Sequence, residues 1–576
     1  MVVDAGGRQL PGSKDSLTLE SFEVGAQPVL QAVLDRVGLR ALFEEAFGTS
    51  DPRARLSPVE SALLLLRNVV LSRHPLYGVP QWARRFAPDR LELTAEQIKL
   101  LNDDRLGRTL DKLFLLDRRT LTTRFVLRVV AVFGLDLTRM HNDSTSITFT
   151  GVYRAAPPRR DGRRRLAIVH GHNKDHRPDL KQLVWTLTIC ADGGVPVHYN
   201  VDDGNMTDDR THVATWNRLR ELVGRPDFLY VADCKLCTRD SMGFIHGAGG
   251  LFVTVLPRTR KEDPQFRQLL AEQSMRWQLL WERPSLRRKT DPPERFEAIP
   301  DMTTAEGYRL VWFRSSEKWQ RDERWRQTTI DRARFAIHRL RDRVGRRSLK
   351  TQEQVQAAVD DILDHTETRP WLKVALLRCE RHHHKQASRG RPGPNTRYRR
   401  CTTTVYEPVA TIDAEAVRRS ATADGIFPLV TNARADRLPA LQLLQTYKYQ
   451  AFIEKRHEQL KTAAEIVPVN FKSPERIEAF LFLYFLAVTL HALIERQVRR
   501  AMVARALPSI PLYPEERECR APTADKLLQA FDPLRTYHLL RNGRVVNTFA
   551  DPLIDIQNTI LSLLEIPARV YATTPT

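Results

Sequence analysis

The sequence predicts an α/β fold, and three observations predict it. A group of short apolar strands begins after Asp136, with an amphipathic helix set among them. Two of those strands are joined by Asp192-Gly193-Gly194, a turn that suits an antiparallel hairpin. Helical periodicity fills long stretches on either side of the strands.

Taken in order, residues 1–15 are polar and glycine-rich and are expected to be disordered. From Leu17 to about Phe133 the pattern is helical, so residues 16–135 are predicted to form a helical DNA-binding or dimerisation region. Ser57-Pro58-Val59-Glu60 opens one helix: Ser57 caps, Pro58 suits the first turn, and Glu60 reaches back to complete a capping box. Ser146–Gly151 alternates polar and apolar residues as a half-buried strand does. Leu183–Cys190 and Val195–Val201 are the hairpin strands, Thr207–Leu222 is a helix, and Asp227–Asp233 is a buried strand ending in a carboxylate. Leu251–Leu256 follows as another strand. Three antiparallel strands, a helix and further strands, with acidic residues at strand ends, are the layout of a ribonuclease-H-like core. Its first part is predicted over 136–257.

Residues 258–400 differ in composition and are assigned to an insertion domain. They carry Trp277, Trp281, Trp312, Trp319, Trp325 and Trp371 among dense arginine. Two stretches, Arg332–Lys350 and Arg381–Arg400, are strongly basic, and the second contains Gly and Pro and reads as a mobile loop. Strand patterns return at Thr402–Val409 and Gly425–Val430, and one long helix is expected from about Leu438 to Leu460. The core's second part, with this helix, is placed at 401–470. Residues 471–576 are expected to be a helical C-terminal region, led by a helix from Ser473 to Ala504.

Composition narrows the partner. Ninety Lys and Arg against 69 Asp and Glu give the chain a net charge of +21. An excess of that size favours a polyanion, because each cation beside a phosphate releases condensed counterions. A membrane is not expected: the longest apolar run, Ala479–Leu490, is shorter than the ~20 residues that span a bilayer and reads as a core helix. The N-terminus lacks a basic segment followed by an apolar one, and six cysteines are too few for a disulfide scaffold. A reducing cytoplasmic setting is expected.

Phosphoryl transfer by two metal ions needs carboxylates that converge. One ion activates water or a 3′ hydroxyl, and the other stabilises the leaving oxygen. Hard cations take oxygen ligands. Asp143 in HNDSTSITFTG, Asp233 in FLYVADCK and Glu454 in YKYQAFIEKRHEQLK are the candidates, on the first strand, at the end of the fourth, and on a later helix. If that helix is continuous, Tyr447, Gln450, Glu454 and Lys461 share one face. Spacing alone favours an ordinary solvated helix face over a metal site.

The chain resembles the DDE transposases of bacterial insertion sequences, in the insertion-sequence-four superfamily and its sixteen-thirty-four-type branch. The third block of that superfamily reads Y-x2-R-x3-E-x6-K, and Tyr447, Gln450, Glu454 and Lys461 match its spacing with Gln in place of Arg. Gly171–Thr211, Asp424–Asn432 (DGIFPLVTN) and the N-terminal LTLESFEVGAQPVLQAVLDRVGL are similar to further blocks in the same order, so the resemblance spans most of the chain. It implies that Asp143, Asp233 and Glu454 bind two Mg²⁺ (or Mn²⁺) ions, with Asp143 bridging both. Tyr447, Gln450 and Lys461 would hold phosphates, and Lys448 or Arg456 would supply the charge that Gln450 lacks. A tryptophan of the insertion, Trp312 or Trp319, would stack on a flipped base; each also reads as a core residue.

The implied activity is cut-and-paste transposition. It comprises cleavage at transposon ends and strand transfer into target DNA, by a homodimer bound to double-stranded terminal inverted repeats in a bacterial cytoplasm at the nucleoid. Two rivals are a non-catalytic DNA-binding descendant and a ribonuclease-H-like nuclease without strand transfer. Other signals carry less. Cys234-x-x-Cys237 has no partner pair of matching spacing, His382-His383-His384 reads as a surface tract, and Gly247–Gly250 lacks the Lys and Ser/Thr of a phosphate loop. Lys174, Arg177 and Lys181 fit a DNA contact or a loop salt-bridged to Asp175 and Asp179.

Overall fold

A computed structural model of the chain describes residues 17–48, 54–153, 165–206, 211–284, 291–346, 349–464 and 473–572. Residues 1–15, expected to be disordered, lie outside them. The chain divides into two units, Met1–Val253 with Gln445–Thr576 and Thr254–Leu444. Both mix helices with strands, so the chain is α/β.

The first unit is organised on a mixed sheet. Strand β1 is Leu17–Glu23, β2 Arg139–Phe149, β3 Lys181–Cys190, β4 Pro196–Asp203, β5 Leu229–Val231 and β6 Leu251–Val255. The order β4-β3-β2-β5-β6 has β2, β3 and β4 antiparallel in sequence, then β5 parallel to β2 and β6 parallel to β5. The hairpin between β3 and β4 turns at Gly193 and Gly194, whose φ of 84° and 64° lie where a side chain is strained. A Cβ at Gly193 would also stand 2.8 Å from the Arg496 side chain. Arg496 fastens this turn through Asp192 and through the carbonyl oxygens of Phe133 and Gly134.

The helix Pro474–Ala504, 31 residues long, runs through this unit with Ser473 capping its start. Its length and apolarity would let it cross a membrane, yet its most apolar window is 94% buried in the protein. The core around it includes Tyr199, stacked between Trp185 and Phe485 at 4.9 and 4.7 Å. The helix Pro58–Leu71 packs on it and begins with the expected Ser57–Glu60 capping box.

Two expectations of all-helical ends are corrected. Leu17–Glu23 is β1, and it pairs with Arg535–Arg541 near the other end of the chain. The C-terminal region likewise holds strands as well as helices (numbered after the second unit's β7–β13): β14 Ile510–Tyr513, β15 Arg517–Cys519, β16 Arg535–Arg541 and β17 Arg544–Ala550. Alternation in β1 was hard to read because its side chains are mostly exposed and bury no clean face.

The second unit contains β7 Gln278–Arg283, β8 Glu294–Ala298, β9 Met302–Thr303, β10 Arg309–Ser315, β11 Leu372–Gln386, β12 Tyr398–Ile412 and β13 Ile426–Thr431. Here β13, β10, β8 and β7 form an antiparallel run, with β9 beside β10. Arg326 and Asp424, both buried, make a two-pronged ion pair at 2.7 and 2.6 Å that ties the helix Ser316–Arg341 to the turn before β13. Arg381–Arg400, expected as a mobile loop, is instead the outer half of a hairpin formed by β11 and β12.

Candidate active site

Asp143 lies within β2 and Asp233 just past the end of β5. The two strands run parallel, pairing Arg139 with Leu229, Met140 with Tyr230 and His141 with Val231. Carried two residues further, that register sets Asp233 level with Asp143, across the ~4.8 Å that separates neighbouring strands. Both side chains remain partly open to solvent, at 23% and 39%. Glu454 is an exposed residue in the first turn of the helix Ala451–Ala464, which packs on β2 and β3.

The expected continuous helix over Leu438–Leu460 is two helices, Ala440–Lys448 and Ala451–Ala464, separated at Tyr449-Gln450. Shorter i to i+3 bonds, Gln450 N to Tyr447 O and Ile453 N to Gln450 O, carry the chain through the break. Tyr449 stacks on Phe452 at 4.3 Å, and the Gln450 side chain is drawn onto β2. Tyr447 and Glu454 thus do not share a helix face. Tyr447 stands in the last turn of the first of these helices. Burial, then the charges of Asp233, the Cys234 thiol, Glu454 and Asp143, push its pKa up to about 12.

Gln450 is occupied by protein. Its Nε2 donates to the Asn142 carbonyl at 3.0 Å, and its Oε1 accepts from His141 Nδ1 at 3.0 Å. Burial holds His141 down to about 4, so its ring is neutral and Nδ1–H is the donor. Arg456, a candidate to supply the missing charge, is buried in an ion pair with Glu495 at 2.8 Å and also donates to Gly194 O. It anchors the helix and is turned away from solvent. Lys461 pairs with Asp175. Trp312 is 1% exposed and stacked on Phe266 at 3.8 Å within the second unit, so it is a core residue that cannot receive a base without unpacking. Trp319 is 40% exposed.

Two side chains, His457 and His212, escaped the sequence reading, and a third, Lys174, was read there only as a DNA contact or a loop residue. Lys174 donates to Ser144 O and Oγ at 2.7 and 2.6 Å, and its ammonium stands 3.9 Å from Asp143. His457, buried on the helix of Glu454, has its Nε2 3.6 Å from Asp143 Oδ2, too long for a hydrogen bond. Neither of its ring nitrogens has a hydrogen-bond partner, and burial pushes its pKa down to about 3. At the start of the helix His212–Val223, His212 Nε2 lies 3.9 Å from Asp233, and its Nδ1 meets the Tyr230 hydroxyl at 3.1 Å. The i+3 spacing of His457 from Glu454 was the one signal that could have found it.

Three carboxylates drawn from two strands and a helix are the donor chemistry of a Mg²⁺ site. An ammonium already stands against one of them. Among the described residues, no three carboxylate, imidazole or thiol groups converge tightly enough to cage an ion. Arg177 pairs with Asp179, Lys181 donates to the carbonyls of Val152 and Tyr153, and Asp175 pairs with Lys461 of the later helix. A cavity of about 580 Å³ in the same unit, lined by Arg119, Tyr199 and Arg218, involves none of the candidate acidic residues.

Residues 20–127 match a family described as a domain of unknown function, DUF4277. No curated protein matches the chain. Among solved structures, one match is a piggyBac transposase synaptic complex with hairpin DNA, at 9% identity and a TM-score of 0.26, covering 81% of this chain and 79% of that one.

Proposed function

We propose that this chain is a DDE transposase that cleaves transposon ends and joins them to target DNA. The observation that carries the reading is the parallel pairing of β2, which holds Asp143, with β5, which ends just before Asp233, together with the packing of the Glu454 helix on β2. Burial first, then Asp233, the Cys234 thiol, Glu454 and Asp143, hold the Tyr447 hydroxyl above its ordinary range. The strand order β4-β3-β2-β5-β6, with the first three antiparallel and the next two parallel, supports a ribonuclease-H-like core. The ordered sequence blocks support the insertion-sequence branch.

In this reading Asp143, Asp233 and Glu454 would hold two Mg²⁺ or Mn²⁺ ions. When bound, the ions supply charge stabilisation for in-line displacement at phosphorus. Tyr447 stays protonated and is a hydrogen-bond donor for a phosphate oxygen at any ordinary pH. Lys174 and Lys461 supply positive charge beside the backbone. Gln450 and His457 are positioning residues, the first fixing the bend against β2 and the second backing Asp143. Double-stranded transposon ends and target DNA are the partners, and pairing of two ends calls for a homodimer in a cytoplasm that holds DNA.

Excision of a marked element in cells tests the reading. Asp143→Ala, Asp233→Ala and Glu454→Ala should each reduce excision by at least 100-fold while purified protein still binds the ends. Wild-type excision by any one variant removes that residue from the site. A strand-transfer assay on precut ends then separates transposition from simple cleavage, since a nuclease of the same fold would cut and never join.

A further inference from the structure

We propose that the β11–β12 hairpin is a duplex-binding arm whose basic outer half lies along the major groove of DNA. The proposal rests on the transposase reading only for the identity of the polyanion. At its base the hairpin is held by a core in which Leu372 and Val405 are buried with Ile337, Leu340, Val355 and Val359 of two helices. Beyond Cys379 and Cys401 nothing in either strand is buried. Arg381–Arg400 contains seven Lys and Arg and no carboxylate.

The register sets Lys385 opposite Arg399, and like charges facing each other across a ladder destabilise it. Arg381 is neutralised by Glu407. Among the described residues, Lys385, Arg389, Arg391, Arg397, Arg399 and Arg400 have no carboxylate partner. A ladder that tolerates this repulsion has its charge complement outside the chain. The tip is nevertheless ordered: Ala387 N donates to Arg397 O at 2.8 Å, Gln386 Nε2 to Gly390 O at 3.0 Å, and Gly393 N to Thr396 Oγ1 at 2.7 Å.

Shape agrees with charge. A two-stranded ribbon fits the ~12 Å major groove. The outer strand from Cys379 to Gln386 is about 27 Å long at ~3.4 Å per residue, just under one turn of duplex. Cations project from both faces of the ribbon, so it can reach both walls of the groove, and exposed Tyr398 adds a flat apolar surface.

The test is anisotropy titration of the full chain against a 30-base-pair duplex and a 30-nucleotide single strand across KCl concentrations. The hairpin variant is R389Q/R391Q/R397Q/R399Q/R400Q. A control, R321Q/R324Q/R332Q/R334Q/R339Q, removes the same charge from the exposed face of the helix Ser316–Arg341. The hairpin variant should weaken duplex binding at least 30-fold and flatten the log–log salt dependence by about 3 or more, because each lost phosphate contact removes ~0.9 from the slope. The control should change both far less.

Equal losses in the two variants overturn the arm and leave DNA binding standing. A wild-type chain that binds no duplex overturns the transposase reading as well. Tighter wild-type binding to the single strand, lost in the hairpin variant, overturns the groove geometry. Phenylglyoxal labelling of wild-type protein guards against misfolding: duplex should suppress modification at Arg397, Arg399 and Arg400, and unchanged labelling overturns the proposal.

Discussion

Both ends of the Gln450 carboxamide bond to β2, one to the Asn142 carbonyl and one to His141, respectively one and two residues before Asp143. An arginine there could not accept from His141, so the Gln is matched to its neighbour. Gln450→Ala would leave a buried imidazole N–H and a carbonyl unpaired, costing about 1–3 kcal/mol. Chemical denaturation measures this, and a change under 0.5 kcal/mol would show that solvent replaces the amide. His457 calls for a different readout. His457→Ala removes the ring behind Asp143 and should lower the rate of end cleavage at least 10-fold with end affinity unchanged. An equal fall in affinity would make its role general packing.

At the scale of elements, the site depends on one short helix held from behind. Arg456 and Glu495, each 4% exposed, join the helix Ala451–Ala464 to the long helix Pro474–Ala504, and Glu495 also accepts from Ala524 N at 3.0 Å. Removing one member leaves the other charge buried, a loss of about 3–5 kcal/mol. Glu495→Ala should therefore melt the first unit early, whereas Arg456→Met with Glu495→Leu should recover much of the stability. A double variant no better than Glu495→Ala would mean that the pair's backbone contacts matter more than its charge.

The same helix shows where periodicity misleads. Residues from Leu438 to Leu460 keep an unbroken helical pattern, because Tyr449 and Gln450 are tolerable helix residues. The break comes from contacts with β2, which local preference does not encode. By contrast the β3–β4 hairpin was legible, since Asp192-Gly193-Gly194 prescribes its turn chemically. The outer half of β11–β12 was not: charged side chains exposed on both faces give no alternation to read.

For the molecule as a whole, a buried and a half-buried histidine set an acid limit. His491 is held below its ordinary value by burial, and burial followed by Arg218 and Arg119 lowers His198 to about 4. Unfolded, both bind protons near pH 6.5. The unfolded chain then binds more protons than the folded one between that pH and the folded values, so stability falls as pH drops through this window. Each group held well below its ordinary value adds up to about 1.4 kcal/mol per pH unit to that slope. Denaturation midpoints between pH 7.5 and 4.5 check the sign, and a midpoint constant across that range would contradict it.

The sequence by itself determined the α/β class, the hairpin, the capped helix at Ser57, the basic balance of the chain, and which acids and tyrosine to examine. These follow from local chemistry: turn residues, caps, side-chain period and charge. Only the tertiary structure decided that β2 and β5 run in parallel. It likewise decided that the helix breaks at Gln450, that Trp312 is core, and that Arg456 is sealed against Glu495. Each depends on which distant segment supplies the neighbour, and pairing across hundreds of residues is fixed by burial of the whole chain rather than by any stretch of it.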